Sequence, residues 1–171
     1  MPLILPVKDK TPTWGDDCFI AENCTIVGDV TLGNQCSVWF NAVVRGDVHY
    51  IRVGDKTNIQ DGAVIHATYQ KAPTTIGSNV NIGHNAIVHG CTVMDNVLIG
   101  MGAIVMDNAL VEEYVIIGAG SVVLENTVCE SGYLYAGTPA KKIKPLTDDQ
   151  KQLLERLPNN YVMYSGWFTK G

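Results

Sequence analysis

The sequence predicts an all-β fold, a parallel β-helix of hexapeptide repeats closed by a C-terminal α-helix. Three observations predict it: an aliphatic residue recurs at every sixth position, a small residue recurs four positions after it, and glycine supplies 17 of 171 residues. The aliphatic series begins at Ile20, Ile26, Leu32, Val38 and Val44. It slips by three and resumes at Val53, Ile59 and Ile65, then after a loop at Ile76, Ile82 and Val88. A one-residue deletion leads to Val93, Ile99, Val105, Val111, Ile117 and Val123. An amphipathic helix needs a period of about 3.6 and an alternating strand a period of 2, so neither accounts for the pattern.

Period six suits a prism of three short sides per coil, one hexapeptide to a side. The aliphatic residue points inward. The small one, as at Cys24, Cys36, Ala42, Ala63, Ala86, Ala103 and Ser121, sits at the corner, where a larger side chain collides; Tyr69, in a loop, is the exception. Coils stack about 4.8 Å apart, and stability sums over neighbouring interfaces. Cys18 and Cys36 fall one coil apart in the corner column. A disulfide between them is geometrically allowed, but two small buried thiols are favoured, because free cysteine is among the most buried residues.

The chain reads as a single domain: β-helix over about 14–128, an irregular exit over 129–146, a helix over 147–157 and a tail over 158–171. Thr147 with Gln150 makes a capping box, Asp148 and Asp149 suit the helix N-terminus, and Pro158 is expected to stop the helix. Leu153, Leu154 and Leu157 form a stripe that should lie back on the prism, and the aromatic tail should pack as well.

Composition narrows the function classes. Hydrophobic residues make up 46% and charged ones 17%, so the chain is globular rather than disordered. A net charge of −5 without a Lys/Arg cluster argues against nucleic acid as a partner. No apolar run reaches the roughly 18 residues of a membrane span, and MPLILPV lacks the basic start of a secretory signal. Five cysteines without a CxxC spacing fit reduced thiols in the cytoplasm.

Three of the four histidines are placed by the repeat. Arg45, His66 and His89 each follow an inward aliphatic residue on the same side of successive coils, so they should form an outward ladder. Two imidazoles about 5 Å apart on such strands can share one metal ion. His84 lies on another side, above Gln60 and Asp61, and a neighbouring chain could bring it to that metal. Three prisms around a threefold axis would meet side to side in a closed ring, with a three-histidine site at each interface. Three neutral histidines and one open position make a catalytic zinc arrangement, in which bound water has a pKa near 7. His49, in the three-residue slip, is a surface residue or a proton-relay candidate.

At these residues the chain resembles the γ-class carbonic anhydrases and their bacterial homologues in the hexapeptide-repeat superfamily. The motifs are Arg45-Gly46-Asp47, Asn58-Ile59-Gln60-Asp61, His66, Gly83-His84 and His89-Gly90-Cys91. The resemblance implies a left-handed β-helix homotrimer that binds Zn²⁺, or Fe²⁺ or Co²⁺, between subunits. It also implies hydration of CO₂ to bicarbonate by attack of metal-bound hydroxide. His66 and His89 would come from one chain and His84 from the next. Gln60 would aim the hydroxide, Arg45 would pair with Asp61 across the interface, and Asp47 would hold that network. Tyr161 resembles a tyrosine that some members bring to the site. Two departures follow from the same comparison: Val48 stands where the family archetype has an acid, and the 67–75 loop lacks a carboxylate. Both remove proton-shuttling groups, which implies slow hydration.

Two competing functions share the fold. One is acyl transfer or thioester hydrolysis on CoA esters, because AGTPAKKI at 136–143 resembles the exit segment of hexapeptide acyltransferases. The other is a trimeric scaffold without turnover.

Overall fold

A computed structural model describes residues 1–169. The chain winds into a left-handed parallel β-helix of about seven turns, with one C-terminal helix, α1, over Asp148–Thr169. Two faces of the prism merge into a 12-stranded sheet because Thr25–Leu32 and Val43–Val53 run round a corner; the third face is an 8-stranded sheet. The first face includes Val64–His66, Ile87–His89 and Ile104–Val105; the third includes Asn58–Ile59, Asn81–Ile82 and Leu98–Ile99. The hexapeptide aliphatics form the core: Ile26, Val44, Ile65, Val88 and Val105 are all fully buried on the first face. Corners turn through left-handed residues, of which Asn41, Asn79, Asn85, Asn96, Asn108 and Asn126 are asparagines with φ of 56° to 60°. Asparagine tolerates that region better than other non-glycine residues.

The slip of three in the sequence is a bulge in the structure. Gly28 pairs with Gly46, but Val30 pairs with Ile51, so Asp47, Val48 and His49 loop out of register. Close backbone approach makes the bulge feasible: a Cβ on Gly46 would lie 2.6 Å from the Asp29 carbonyl oxygen.

The β-helix is longer than the sequence reading. Leu3–Leu5 already pairs with Thr25–Val27, ahead of residue 14. Tyr133–Gly137, expected to be irregular, continues the third face beside Ile116–Ile117 before Ala140–Pro145 turns back antiparallel. Cys18 and Cys36 stack in register as free thiols, their sulfurs donating to the Gly33 and Gly54 carbonyls at 3.1 and 3.0 Å.

The capping box forms: Gln150 N donates to Thr147 Oγ1 at 3.2 Å, and Thr147 N donates to Gln150 Oε1 at 3.0 Å. The expected stop at Pro158 does not occur. Pro158 costs the helix one hydrogen bond and about 3 kcal/mol, but it lies on the buried stripe with Leu154 and Ser165, whose burial offsets that cost. Asn159 Nδ2 donates to the Glu155 carbonyl at 3.3 Å, one turn back. The expected tail is therefore helical through Thr169; Lys170 and Gly171 lie outside the described residues. No helix is long and apolar enough to cross a membrane among the described residues.

Candidate metal centre

The first face carries the ladder. His66 pairs with His89 in register, and the Val44–Ile65 pairing puts Arg45 in line with His66. His66 Nδ1 and His89 Nε2 are 3.0 Å apart. Each ring turns its other nitrogen to a carboxylate: His66 Nε2 is 3.0 Å from Asp47 Oδ1, and His89 Nδ1 is 2.6 Å from Asp107 Oδ1. Arg45 Nη1 donates to Asp47 Oδ2 at 2.5 Å, and Thr68 Oγ1 donates to Asp107 Oδ2 at 2.5 Å. The bulge delivers Asp47 to His66, and the corner after Ile104–Val105 delivers Asp107 to His89.

Electrostatics fix the proton positions. Burial pushes the Asp47 carboxyl up, but hydrogen bonds from His66 and Arg45 and the guanidinium charge outweigh it, leaving the pKa below the ordinary value. Burial likewise raises Asp107, and hydrogen bonds from Thr68 and His89 overcome it in the same direction. Burial lowers the His66 pKa against the pull of Asp47. An ionised carboxylate only accepts, so His66 Nε2 and His89 Nδ1 must donate. In two neutral rings the facing nitrogens are then both lone pairs, 3.0 Å apart. That contact is repulsive without a cation between the rings. Two ligands of a tetrahedral ion at about 2.0–2.1 Å are separated by roughly 3.3 Å, so the pair fits a metal.

The third face carries the other candidates. The Asn58–Ile59 and Asn81–Ile82 pairing stacks Gln60 on Gly83 and Asp61 on His84. His84 Nδ1 lies 2.9 Å from Asp61 Oδ2, with the His84 side chain 44% exposed. Gln60 is buried and tied down: its Nε2 donates to Asn58 Oδ1 at 2.9 Å, and Asn58 Nδ2 donates to Asn81 Oδ1 at 2.6 Å. A pocket of about 430 Å³ opens beside Gln60, Gly83, His84, Gly100 and Tyr161 of α1. Tyr161 packs edge-on against Trp39, and burial, then the Asp61 charge, raises its hydroxyl pKa.

Within one chain, His66 and His89 come together with Arg45 and Asp47, and His84 comes together with Gln60, Asp61 and Tyr161. The two groups occupy different faces. Among the described residues, no group of three or more His, Cys, Asp or Glu side chains converges as a metal site in a single chain. Arg45 meets Asp47, not Asp61, within the chain. His49 sits in the bulge, its ring edge-on to Tyr50, in a pocket with Asp29, Asp47 and Val48.

Sequence reasoning missed Asp107, Thr68 and the Asn58–Asn81 brace. The signal for Asp107 was faint: it stands 18 residues after His89, one coil on, but two positions past the inward Val105 rather than one.

Segments of the chain match two family models. Residues 15–46 and 90–125 match the bacterial transferase hexapeptide (six repeats), and residues 73–106 match the hexapeptide repeat of succinyl-transferase. Protein YrdA of Escherichia coli (strain K12) is 44% identical over 168 residues, 95% of this chain and 91% of its own. Carbonic anhydrase of Geobacillus kaustophilus (strain HTA426) is 45% identical over 160 residues, 94% of this chain and 87% of that one. A solved structure of a putative acetyltransferase from Bacillus cereus superposes with a TM-score of 0.95 at 38% identity, covering 98% of this chain and 96% of that one. With its repeat, its motifs and these relatives, the chain belongs to the γ-class carbonic anhydrase-like family of hexapeptide-repeat proteins.

Proposed function

We propose that the protein is a metal-dependent CO₂ hydratase whose site forms between subunits of a homotrimer. The observation that carries this reading is the 3.0 Å approach of the facing nitrogens of His66 and His89, each ring backed by a carboxylate. The relatives named carbonic anhydrase support it. His84, on another face and backed by Asp61, would be supplied by the partner subunit. A heterologous contact that joins the first face of one prism to the third face of the next closes as a ring of three.

The residues fit Zn²⁺, with Fe²⁺ or Co²⁺ as alternatives. When bound, such an ion is a Lewis acid that lowers the pKa of water to about 7. Gln60, fixed by Asn58, would present its side-chain amide to the reacting oxygen and orient it. Asp47 would hold His66 as the Nε2–H tautomer, and Arg45 would keep Asp47 ionised. Tyr161 would border the pocket in which a small apolar gas is held. Arg45 and Asp61 would come together across the subunit contact. Five free cysteines suit a reducing compartment, the cytoplasm.

A second reading, acyl transfer on CoA esters, is favoured by the name of the Bacillus cereus structure and by a pocket of about 430 Å³, larger than CO₂ requires. One experiment separates the two: metal content per subunit, with stopped-flow CO₂ hydration and acetyl-CoA turnover on the same preparation. Hydration with metal supports the first reading. A metallated trimer without hydration at any buffer concentration, but with acetyl-CoA turnover, overturns it.

A further inference from the structure

Asp107 stands outside the motifs that mark the site, yet both of its oxygens are committed to it. Oδ1 takes the His89 Nδ1 proton at 2.6 Å, and Oδ2 takes the Thr68 hydroxyl proton at 2.5 Å. The carboxylate is thus gripped from both ends. Thr68 belongs to the 67–75 loop, which a Thr68–Ala72 bridge closes and which Thr74 Oγ1 ties to the His66 carbonyl. Gly90, next to His89, has φ of +57°, and a Cβ there would lie 2.4 Å from Asp107 Oδ1 and 2.9 Å from the Ala72 Cβ. The absent side chain leaves the space that the carboxylate fills. Asn108 N donates to the Gly90 carbonyl at 2.7 Å, which seats the Asp107 corner against that glycine.

We infer that Asp107 is a positioning residue for metal binding, clamped by Thr68 and admitted by Gly90, and that it sets the tautomer and orientation of His89. This rests on the reading of His66 and His89 as ligands. By accepting from Nδ1, Asp107 leaves the Nε2 lone pair facing His66, and its negative charge makes that lone pair a better donor. The short loop, without any carboxylate of its own, acts on the site through the Thr68 hydroxyl.

The test is Zn²⁺ affinity by chelator competition, with the visible spectrum of the Co²⁺-loaded protein, on the full chain. Asp107→Ala is expected to weaken Zn²⁺ by ~10–100-fold and to alter the Co²⁺ bands. Asp107→Asn, which keeps an acceptor but loses the charge, should fall between the two. Thr68→Val should weaken binding in the same direction by a smaller factor, and it covers the case in which Asp107→Ala does not fold. Wild-type affinity and an unchanged Co²⁺ spectrum in folded Asp107→Ala, or in Thr68→Val where that variant alone folds, would overturn the inference. A wild-type chain that binds no metal would instead overturn the metal reading itself.

Discussion

His66 Nδ1 and His89 Nε2 face each other across 3.0 Å, and with both rings neutral neither nitrogen carries a proton. Asp47 and Asp107 hold the remaining ring protons from opposite sides. With neutral rings, the proposed site is a pair of electron-pair donors that a cation would bridge.

His66→Ala, His84→Ala and His89→Ala are each expected to lose bound metal while the β-helix stays folded. All three point away from the Ile/Val core, and His84→Ala, at the most exposed of them, should melt within about 0.5 kcal/mol of the metal-free parent. Metal analysis and thermal melting check this. Any one variant that keeps a full complement of metal at parental affinity removes that residue from the ligand set.

The assembly should scatter light as three chains of 18.5 kDa. His84 and the His66–His89 pair occupy different faces, so a monomer with tightly bound metal would contradict the proposed site. Arg45→Ala should weaken the trimer on dilution, because it leaves Asp47 and the partner's share of the contact without their guanidinium. Unchanged dissociation would show that Arg45 takes no part in the interface.

Gln60→Ala should lower hydration by about tenfold, the worth of one hydrogen bond, without loss of metal. The Asn58–Asn81 bond stays in place but buried Asn58 Oδ1 loses its donor, so the variant should fold with about 1–3 kcal/mol less stability. A loss of metal along with activity would instead assign Gln60 a structural part.

Hydration should rise with the concentration of an imidazole-type buffer. Proton export needs a group with a pKa near the working pH, and the acids that would serve are absent at Val48, in the bulge between Asp47 and His49, and in the 67–75 loop. Val48→Glu should reduce the buffer dependence. A rate independent of buffer in the parent protein would show that proton transfer does not limit it.

Cys18 should be the most reactive thiol. The Cys36 thiol beside it lowers its pKa to about 7 against the effect of burial, whereas burial pushes Cys24 up to about 11 and Cys91 and Cys129 up to about 12. Alkylation of Cys18 should therefore climb with pH through about 7 and level off, because the thiolate is the nucleophile. Cys36→Ala should move that rise towards the ordinary thiol value of about 8.5. Equal labelling of all five cysteines in the folded protein would contradict this.

The sequence by itself determined the prism, the inward aliphatic columns, the capping box and the ladder of Arg45, His66 and His89. Each of these repeats with the coil, so position in the hexapeptide is position in space. Even the bulge was legible, because a slip of three residues between Val44 and Val53 has nowhere to go but outward. Only the tertiary structure decided what happens diagonally or between elements. Asp107 reaches His89 across a corner through the gap at Gly90, a contact that depends on rotamer and local φ rather than on period. Arg45 turns to Asp47 because the bulge folds that carboxylate back onto its own face. α1 runs on past Pro158 because the prism rewards burial of that stripe by more than the missing hydrogen bond costs, a balance that no local sequence rule contains.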